Sequence, residues 1–197
     1  MRLIRYSHSC VRLEVKGIVI VIDPGIWSEP EALHGVDAVL VTHEHADHAD
    51  RVRLAELDCP IFAPAGAVLP QIEFYPVHPG RSVTVAGLET TIVGGHHARV
   101  LDDQQVCANV GYLIAGVYHP GDALDPAPDA AHTLLVPMQA SWLKTSEGVA
   151  FLRTSRYERA IGIHDGQIND RAIASISNWY GLGSSGRYEY VMPGSSC

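Results

Sequence analysis

The sequence predicts an α/β (α+β) chain, rich in strands, with short helices set between them. Three observations carry this: runs of β-branched residues, a few stretches with apolar residues at helical spacing, and metal-type residues where predicted strands end. Those residues are His43, His97, Asp122 and His164. Strand ends gathered on one rim are a usual place for a site, because loops there vary while the scaffold stays rigid. The 197 residues suit a single domain, residues 1–197, or two halves sharing one core. At this length roughly 70% of the unfolded surface can be buried, so the fold requires no disulfide or structural metal.

Taken in order, Val11 to Val15 alternates, Lys16-Gly17 makes a turn, and Ile18 to Ile22 is a continuous β-branched run ending at Asp23-Pro24-Gly25. Such a run suits a strand covered on both faces. Ala38 to Thr42 is a strand running directly into His43, and Ala49 to Leu57 a short helix. Cys59 to Pro64 is a further strand, followed by a helical segment or loop from Ala65 to Gln71. The β pattern returns with Val83 to Val85 and with Leu88 to Val93, which ends at Gly94-Gly95-His96-His97. Asn109 to His119 forms strand, tight turn and strand, leading to Pro120-Gly121-Asp122. Thr133 to Val136 is a buried strand, Ser146 to Ser155 a helix, Arg159 to Ile163 a strand reaching His164, and Ile168 to Tyr180 a helix. Gly181 to Gly186 is expected as a loop, and Ser195 to Cys197 as a frayed end.

Composition removes several functions. Hydrophobic residues make up 47% of the chain and charged residues 18%, an ordinary globular balance. With 14 Lys and Arg and a net charge of −8, a broad basic footprint for nucleic acid is not expected. The first residues lack the apolar stretch of a signal peptide, and no apolar run approaches a membrane span. The four cysteines, Cys10, Cys59, Cys107 and Cys197, show no CxxC pairing, so buried or incidental thiols in a reduced, cytoplasmic setting are expected. Eleven histidines are a rich supply, and their placement decides the case.

The strongest signal is Thr42-His43-Glu44-His45-Ala46-Asp47-His48. In extended backbone alternate side chains share a face, so His43 and His45 can converge on one cation. A turn at the start of the next helix would bring Asp47 and His48 round to a second. Imidazole and carboxylate suit Zn, with Mn or Fe as alternatives. The bland reading is a polar helix start with Asp47 as cap, which isolated histidines would favour but this spacing does not. The zinc-protease pattern HExxH is not met, because Asp47 stands where its second histidine belongs.

This segment resembles the HxHxDH signature of the metallo-β-lactamase superfamily, and the likeness extends along most of the chain. Asp23 resembles the aspartate that ends an early strand in that family, His97 the next metal-binding histidine, Asp122 the bridging aspartate and His164 the last histidine. Tyr6-Ser7-His8-Ser9-Cys10 resembles the branch of ascorbate-6-phosphate lactonase-like proteins and small metal-dependent hydrolases. The resemblance implies a four-layer αββα sandwich. It also implies two divalent ions, one held by His43, His45 and His97, the other by Asp47, His48 and His164, with Asp122 bridging. Asp122 stands where the best-known β-lactamases place cysteine, which disfavours antibiotic hydrolysis.

The activity implied is hydrolysis of a small ester, lactone or phosphoester by a metal-activated water. Asp47 and Asp122 are then the catalytic carboxylates, Asp47 orienting the nucleophile or taking its proton. A nuclease or phosphodiesterase of the same fold and a non-catalytic metal-binding module are the alternatives. The partner expected is a small molecule, with neither nucleic acid nor membrane. His96 and His97 are adjacent, so one faces a given ion; the resemblance favours His97, since Ala98 after it fits the family pattern better. Asp23 either caps the Pro24-Gly25 turn or orients a ligating imidazole. His8 is either structural or at the mouth of the site, and His119 is structural or supporting. His34, His78 and His132 are surface residues, and Tyr112, Trp142 and Trp179 core. Candidate substrate loops are Ile26 to Val36, Phe74 to Gly80 and Arg99 to Ala108.

Overall fold

A computed structural model describes residues 1–184 and 186–197. Six strands come first: β1 (Arg2–Arg5), β2 (Val11–Val15), β3 (Ile18–Ile22), β4 (Ala38–Leu40), β5 (Ile61–Pro64) and β6 (Tyr75–Val77). A second set follows: β7 (Ser82–Val85), β8 (Leu88–Gly94), β9 (Val110–Ile114), β10 (Val117–His119), β11 (Thr133–Pro137) and β12 (Arg159–Ile163). Two short strands close the chain, β13 (Tyr188–Glu189) and β14 (Ser195–Ser196). The helices are α1 (Arg51–Ala55), α2 (Thr145–Thr154) and α3 (Asp170–Gly183), with a 3₁₀ turn at Pro30–Leu33.

The strands form two seven-stranded sheets, β14-β1-β2-β3-β4-β5-β6 and β13-β12-β11-β10-β9-β8-β7. Each is half antiparallel and half parallel: β3 to β6 run parallel in the first, β10 to β13 in the second. Period-2 alternation sorts the side chains. Ile20, Ile22, Ala38, Leu40, Tyr112, Ile114, Leu135, Ile161 and Ile163 fill one core between the sheets. Their neighbours point outward: Val39 and Val41 pack with Leu54 of α1, while Leu134, Val136 and Ala160 pack with Phe151 of α2 and Tyr180 of α3. Val21 lies in a further outer cluster with Tyr6 and Ala32, so β3 is covered on both faces as its β-branched run requires. Helices on the outside of two facing sheets give the αββα sandwich. Among the described residues no helix is long and apolar enough to cross a membrane.

Several boundaries differ from the sequence expectation, each for a local reason. β4 ends at Leu40, two residues short, because the chain bends as it enters the histidine motif. The helix expected from Ala49 begins at Arg51, since Asp50 is its cap and accepts from the amides of Val52 and Arg53 at 3.0 and 3.3 Å. Asp47 is therefore no cap. α3 runs on through Gly181 to Gly183, a stretch expected as loop. Gly183 lies so close to α2 that a Cβ there would sit 2.9 Å from Val149, and Ser185 falls outside the described residues. The expected frayed end pairs with β1, Ser196 opposite Ile4, and the Cys197 amide bonds Leu3 at 3.0 Å. β6 lies where a loop was expected; its Pro76 is tolerated because β6 is an edge strand. Trp179, expected in the core, is 55% exposed on the outer face of α3.

The parallel halves place their C-terminal strand ends on one rim. Asp23 follows β3, the histidine motif follows β4, Asp122 follows β10 and His164 follows β12. Tyr112 ties the sheets together beneath that rim: its hydroxyl, on β9, donates to the Val41 carbonyl at 3.0 Å on the opposite sheet. Tyr112→Phe removes this donor from a buried carbonyl and is expected to cost about 1–3 kcal/mol in urea unfolding, with the m-value unchanged.

Candidate metal centre

The rim gathers three overlapping groups of side chains whose ligand atoms lie within 4.8 Å of one another. The first is His43, His45 and His97; the second is His8, Asp47, His48 and His164; the third joins His43 and His48 to Asp122. All seven residues expected as metal ligands are thus brought together, and His8 is added to them. Of the adjacent pair, His97 is buried in the cluster while His96 is exposed.

Local backbone explains how a short motif turns two ways. His48 and Ala49 amides both donate to the His45 carbonyl, at 3.0 and 2.8 Å, closing a turn that swings Asp47 and His48 away from His43 and His45. Gly25 makes room for that turn, since a Cβ there would overlap the Asp47 carbonyl at 1.7 Å. His8, Asp23 and His164 hold left-handed backbone, with φ of 63°, 52° and 61°. Such residues persist only where their surroundings over-determine them.

Three of the imidazoles are oriented by the nitrogen they turn away from the cluster. His48 donates from Nδ1 to Asp23 Oδ2 at 2.7 Å. His97 donates from Nδ1 to the Ala98 carbonyl at 2.5 Å. His43 Nδ1 lies 3.1 Å from Thr42 Oγ1, whose hydroxyl in turn donates to Asp23 at 2.6 Å. These contacts assign the tautomers and leave the Nε2 lone pairs facing inward. There they meet one another and Asp122. His43 Nε2 is 3.1 Å from His45 Nδ1, and His48 Nε2 is 3.1 Å from Asp122 Oδ1. Asp122 Oδ2 lies 3.4 Å from His97 Nε2 and 3.2 Å from His164 Nε2.

This crowding shapes the proton affinities. Burial holds His43 well below the ordinary imidazole pKa, and burial with His97 nearby lowers His45. Burial opposes charge on His48 too, but Asp122 and Asp23 outweigh it and raise His48 well above its ordinary value. His97 is raised, against burial, by Asp122. Asp122 is held well below the carboxylate range, against burial, by His48 and His164. On both His48 and His97 the neighbouring carboxylate charge thus favours the protonated imidazole against the effect of burial.

The donor set of these residues, imidazole and carboxylate, fits a metal site. Among the described residues, buried His48 Nε2, His97 Nε2 and Asp122 Oδ1 have no hydrogen-bond partner, although the Asp122 carboxylate lies 3.1 Å from His48 Nε2 and 3.4 Å from His97 Nε2. Buried polar atoms are rarely left so, and a bound ion is one explanation for such a cluster.

The family described as "Beta-lactamase superfamily domain" matches residues 2–151. The chain belongs to the metallo-β-lactamase superfamily. Among superfamily relatives, protein Rv0786c of Mycobacterium tuberculosis is 36% identical over 177 residues, covering 83% of this chain and 84% of that one. A "UPF0173 metal-dependent hydrolase" of Methanopyrus kandleri is 30% identical over 145 residues, and the match spans 62% of each chain. In three dimensions the fold resembles Igni18, described as a metallo hydrolase from Ignicoccus hospitalis. The TM-score is 0.75 at 19% identity, over 100% of this chain and 97% of that one.

Against the superfamily expectation the supporting residues sort as follows. Asp23 orients His48 rather than merely capping a turn. His119 is fully buried, accepts from the Gly121 amide at 3.0 Å and donates to the Ser9 carbonyl at 2.8 Å, so it shapes the turn that presents Asp122. His8 is 1% exposed and so does not line the mouth. His34, His78 and His132 are exposed, as expected. Trp142, expected as core, is half-buried and donates from Nε1 to Asp122 Oδ2 at 3.0 Å. Cys107, expected as incidental, places Sγ 3.8 Å from His45 Nε2, and burial pushes its thiol up to about 11. Asn109 also went unnoticed; its Oδ1 accepts from the Asp122 amide at 3.0 Å. No motif marks these three, because each reaches the cluster from a loop distant in sequence.

Of the candidate substrate loops, Phe74 to Gly80 contains β6 and borders a groove of about 710 Å³ lined by Leu54, Leu57, Phe74 and Tyr75. No cluster residue lines that groove.

Two outcomes follow. Asp23→Ala removes the acceptor of His48 and is expected to weaken metal affinity about 10- to 100-fold in chelator competition. Metal uptake must also displace the proton on His48, whose proton affinity is raised well above the ordinary imidazole value, so affinity rises with pH, and calorimetry in buffers of different ionisation enthalpy is expected to show proton release at neutral pH. In the metal-free protein Asp122 and His48 stabilise the fold within a pH window. The contribution of Asp122 is lost as pH falls below the ordinary carboxylate range, and that of His48 as pH rises through its raised pKa.

Proposed function

We propose that this chain is a dinuclear metal hydrolase of a small ester, lactone or phosphoester. At the level of class it is a metal-dependent hydrolase, as superfamily membership and relatives of that name indicate. The observation that carries the dinuclear reading is the set of inward-facing, unpartnered atoms His48 Nε2, His97 Nε2 and Asp122 Oδ1. They divide around Asp122, whose two oxygens face histidines of both groups.

In this reading His43, His45 and His97 hold one ion, Asp47, His48 and His164 the other, and Asp122 serves both. A divalent pair, with zinc the leading candidate, supplies Lewis acidity and makes water a nucleophile at neutral pH. The protein's part is orientation. His45 and Asp47 form the open side of an otherwise buried cluster, so a scissile bond approaches there. Asp47 is held at about 2: burial works against its ionisation, and the hydrogen bond from His8 together with His48 outweighs it. It is an anion at neutral pH and can accept a hydrogen bond from the attacking water. The net charge of −8 supports a small substrate over a polyanion.

His45→Ala and Asp122→Ala each test the proposal. Metal content by plasma mass spectrometry is expected to fall from about two equivalents. Turnover of a lactone and nitrophenyl-ester panel is expected to fall by roughly 100-fold or more, since several kcal/mol of stabilisation is lost at 1.4 kcal/mol per decade. Retention of both metal and turnover in either variant contradicts the proposal. Preference for bis-nitrophenyl phosphate over every lactone and ester would redirect it to a phosphodiesterase.

A further inference from the structure

His8 sits inside the second group but cannot act as the others do. Its Nδ1 accepts the Gly166 amide at 3.1 Å, so that nitrogen carries a lone pair and Nε2 carries the proton. That Nε2–H points at Asp47 Oδ2, 3.0 Å away. A protonated Nε2 has no lone pair to offer a metal. The four residues that converge here are therefore three candidate ligands and one donor.

The backbone around His8 is built to keep it so. The His8 amide donates to Asp165 Oδ1 at 3.0 Å, and its carbonyl accepts from the His164 amide at 2.8 Å. Asp165 is itself held by buried Arg5 and by the Tyr190 hydroxyl, the latter at 2.6 Å. The ring is wedged between His164, with centroids 3.9 Å apart, and the edge of Trp27 at 4.8 Å. Left-handed backbone, three hydrogen bonds to residues 164–166 and contact on two sides leave the imidazole one orientation.

We propose that His8 is a positioning residue for the second metal subsite: its single N–H fixes Asp47 Oδ2 in place, 3.9 Å from His48 Nε2, facing the ion. Asp47 needs such a tether. It lies on the open side of the cluster, its side chain is 23% exposed, and among the described residues it is the only carboxylate of its group. The inference rests on the two-ion reading above. His8 thus orders the metal site from a segment after β1 that carries none of its ligands.

The test compares His8→Phe, which keeps a ring but loses the donor, with His8→Gln, whose amide can return an N–H near the Nε2 position. Both variants keep an L side chain on the same left-handed backbone, so backbone strain is common to them. Zinc is titrated into metal-free full-length protein against a chromophoric chelator, and unfolding midpoints are recorded alongside. Wild type is expected to take up two equivalents. H8F is expected to keep one site within about twofold and to weaken the other about 10- to 100-fold, with H8Q recovering most of that loss. Two equal, unchanged sites in H8F overturn the assignment of His8 alone. So does an equal weakening of both sites with H8Q no better than H8F, which would mark His8 as packing. A wild type that takes up a single equivalent overturns the two-ion reading and this assignment together.

Discussion

Asp122 is a carboxylate almost wholly removed from water, and burying such a group without partners would cost several kcal/mol. Imidazoles from three separate parts of the chain, together with the Trp142 indole, meet that charge. Breaking such a buried set by removing one partner leaves an uncompensated charge, so the histidines are bound to the aspartate as firmly as any core contact. Strand ends of β4, β10 and β12 must therefore converge on a single point, and the spacing of the two sheets at that rim follows from it.

Behind this set lies a layer that faces away from the centre. Asp23, Thr42, Ala98, His119 and Asn109 spend their hydrogen bonds on the outer nitrogens of the histidines or on the Asp122 turn. Fixing the outer nitrogen fixes both the tautomer and the direction of the inner lone pair. The left-handed backbone of Asp23 belongs to this layer, while His8 and His164, left-handed too, stand in the cluster itself. The same rigidity leaves one side open, where His45 and Asp47 meet solvent, and that asymmetry separates a catalytic arrangement from a closed structural one.

Much of this was legible in the chain. Residues 43–48 carry their meaning in their spacing, because a bend after a strand can serve two cations only if imidazoles and a carboxylate fall at those intervals. Ile18 to Ile22 announced a strand covered on both faces, and that strand lies between two apolar clusters. Strand ends were less legible. β4 stops early and α1 starts late because the site, rather than propensity, sets the backbone between them. Ser195 and Ser196 looked like a loose end, having no apolar pattern; only the free edge of β1 makes a strand of them.

The sequence by itself determined the HxHxDH motif, because its residue types fall at fixed local spacing, whereas the layered fold and the distant companions Asp23, His97, Asp122 and His164 followed from the resemblance to a known family that the motif carries. Tertiary structure decided what spacing cannot encode: that Trp142, Asn109 and Cys107 border the cluster, and that His8 is a donor. Those facts depend on which groups from remote strands arrive within about 3 Å of a given atom. A hydrogen-bond acceptor such as His8 Nδ1 finds its Gly166 partner 158 residues away. Contacts of that reach exist only once both sheets have closed on their shared core.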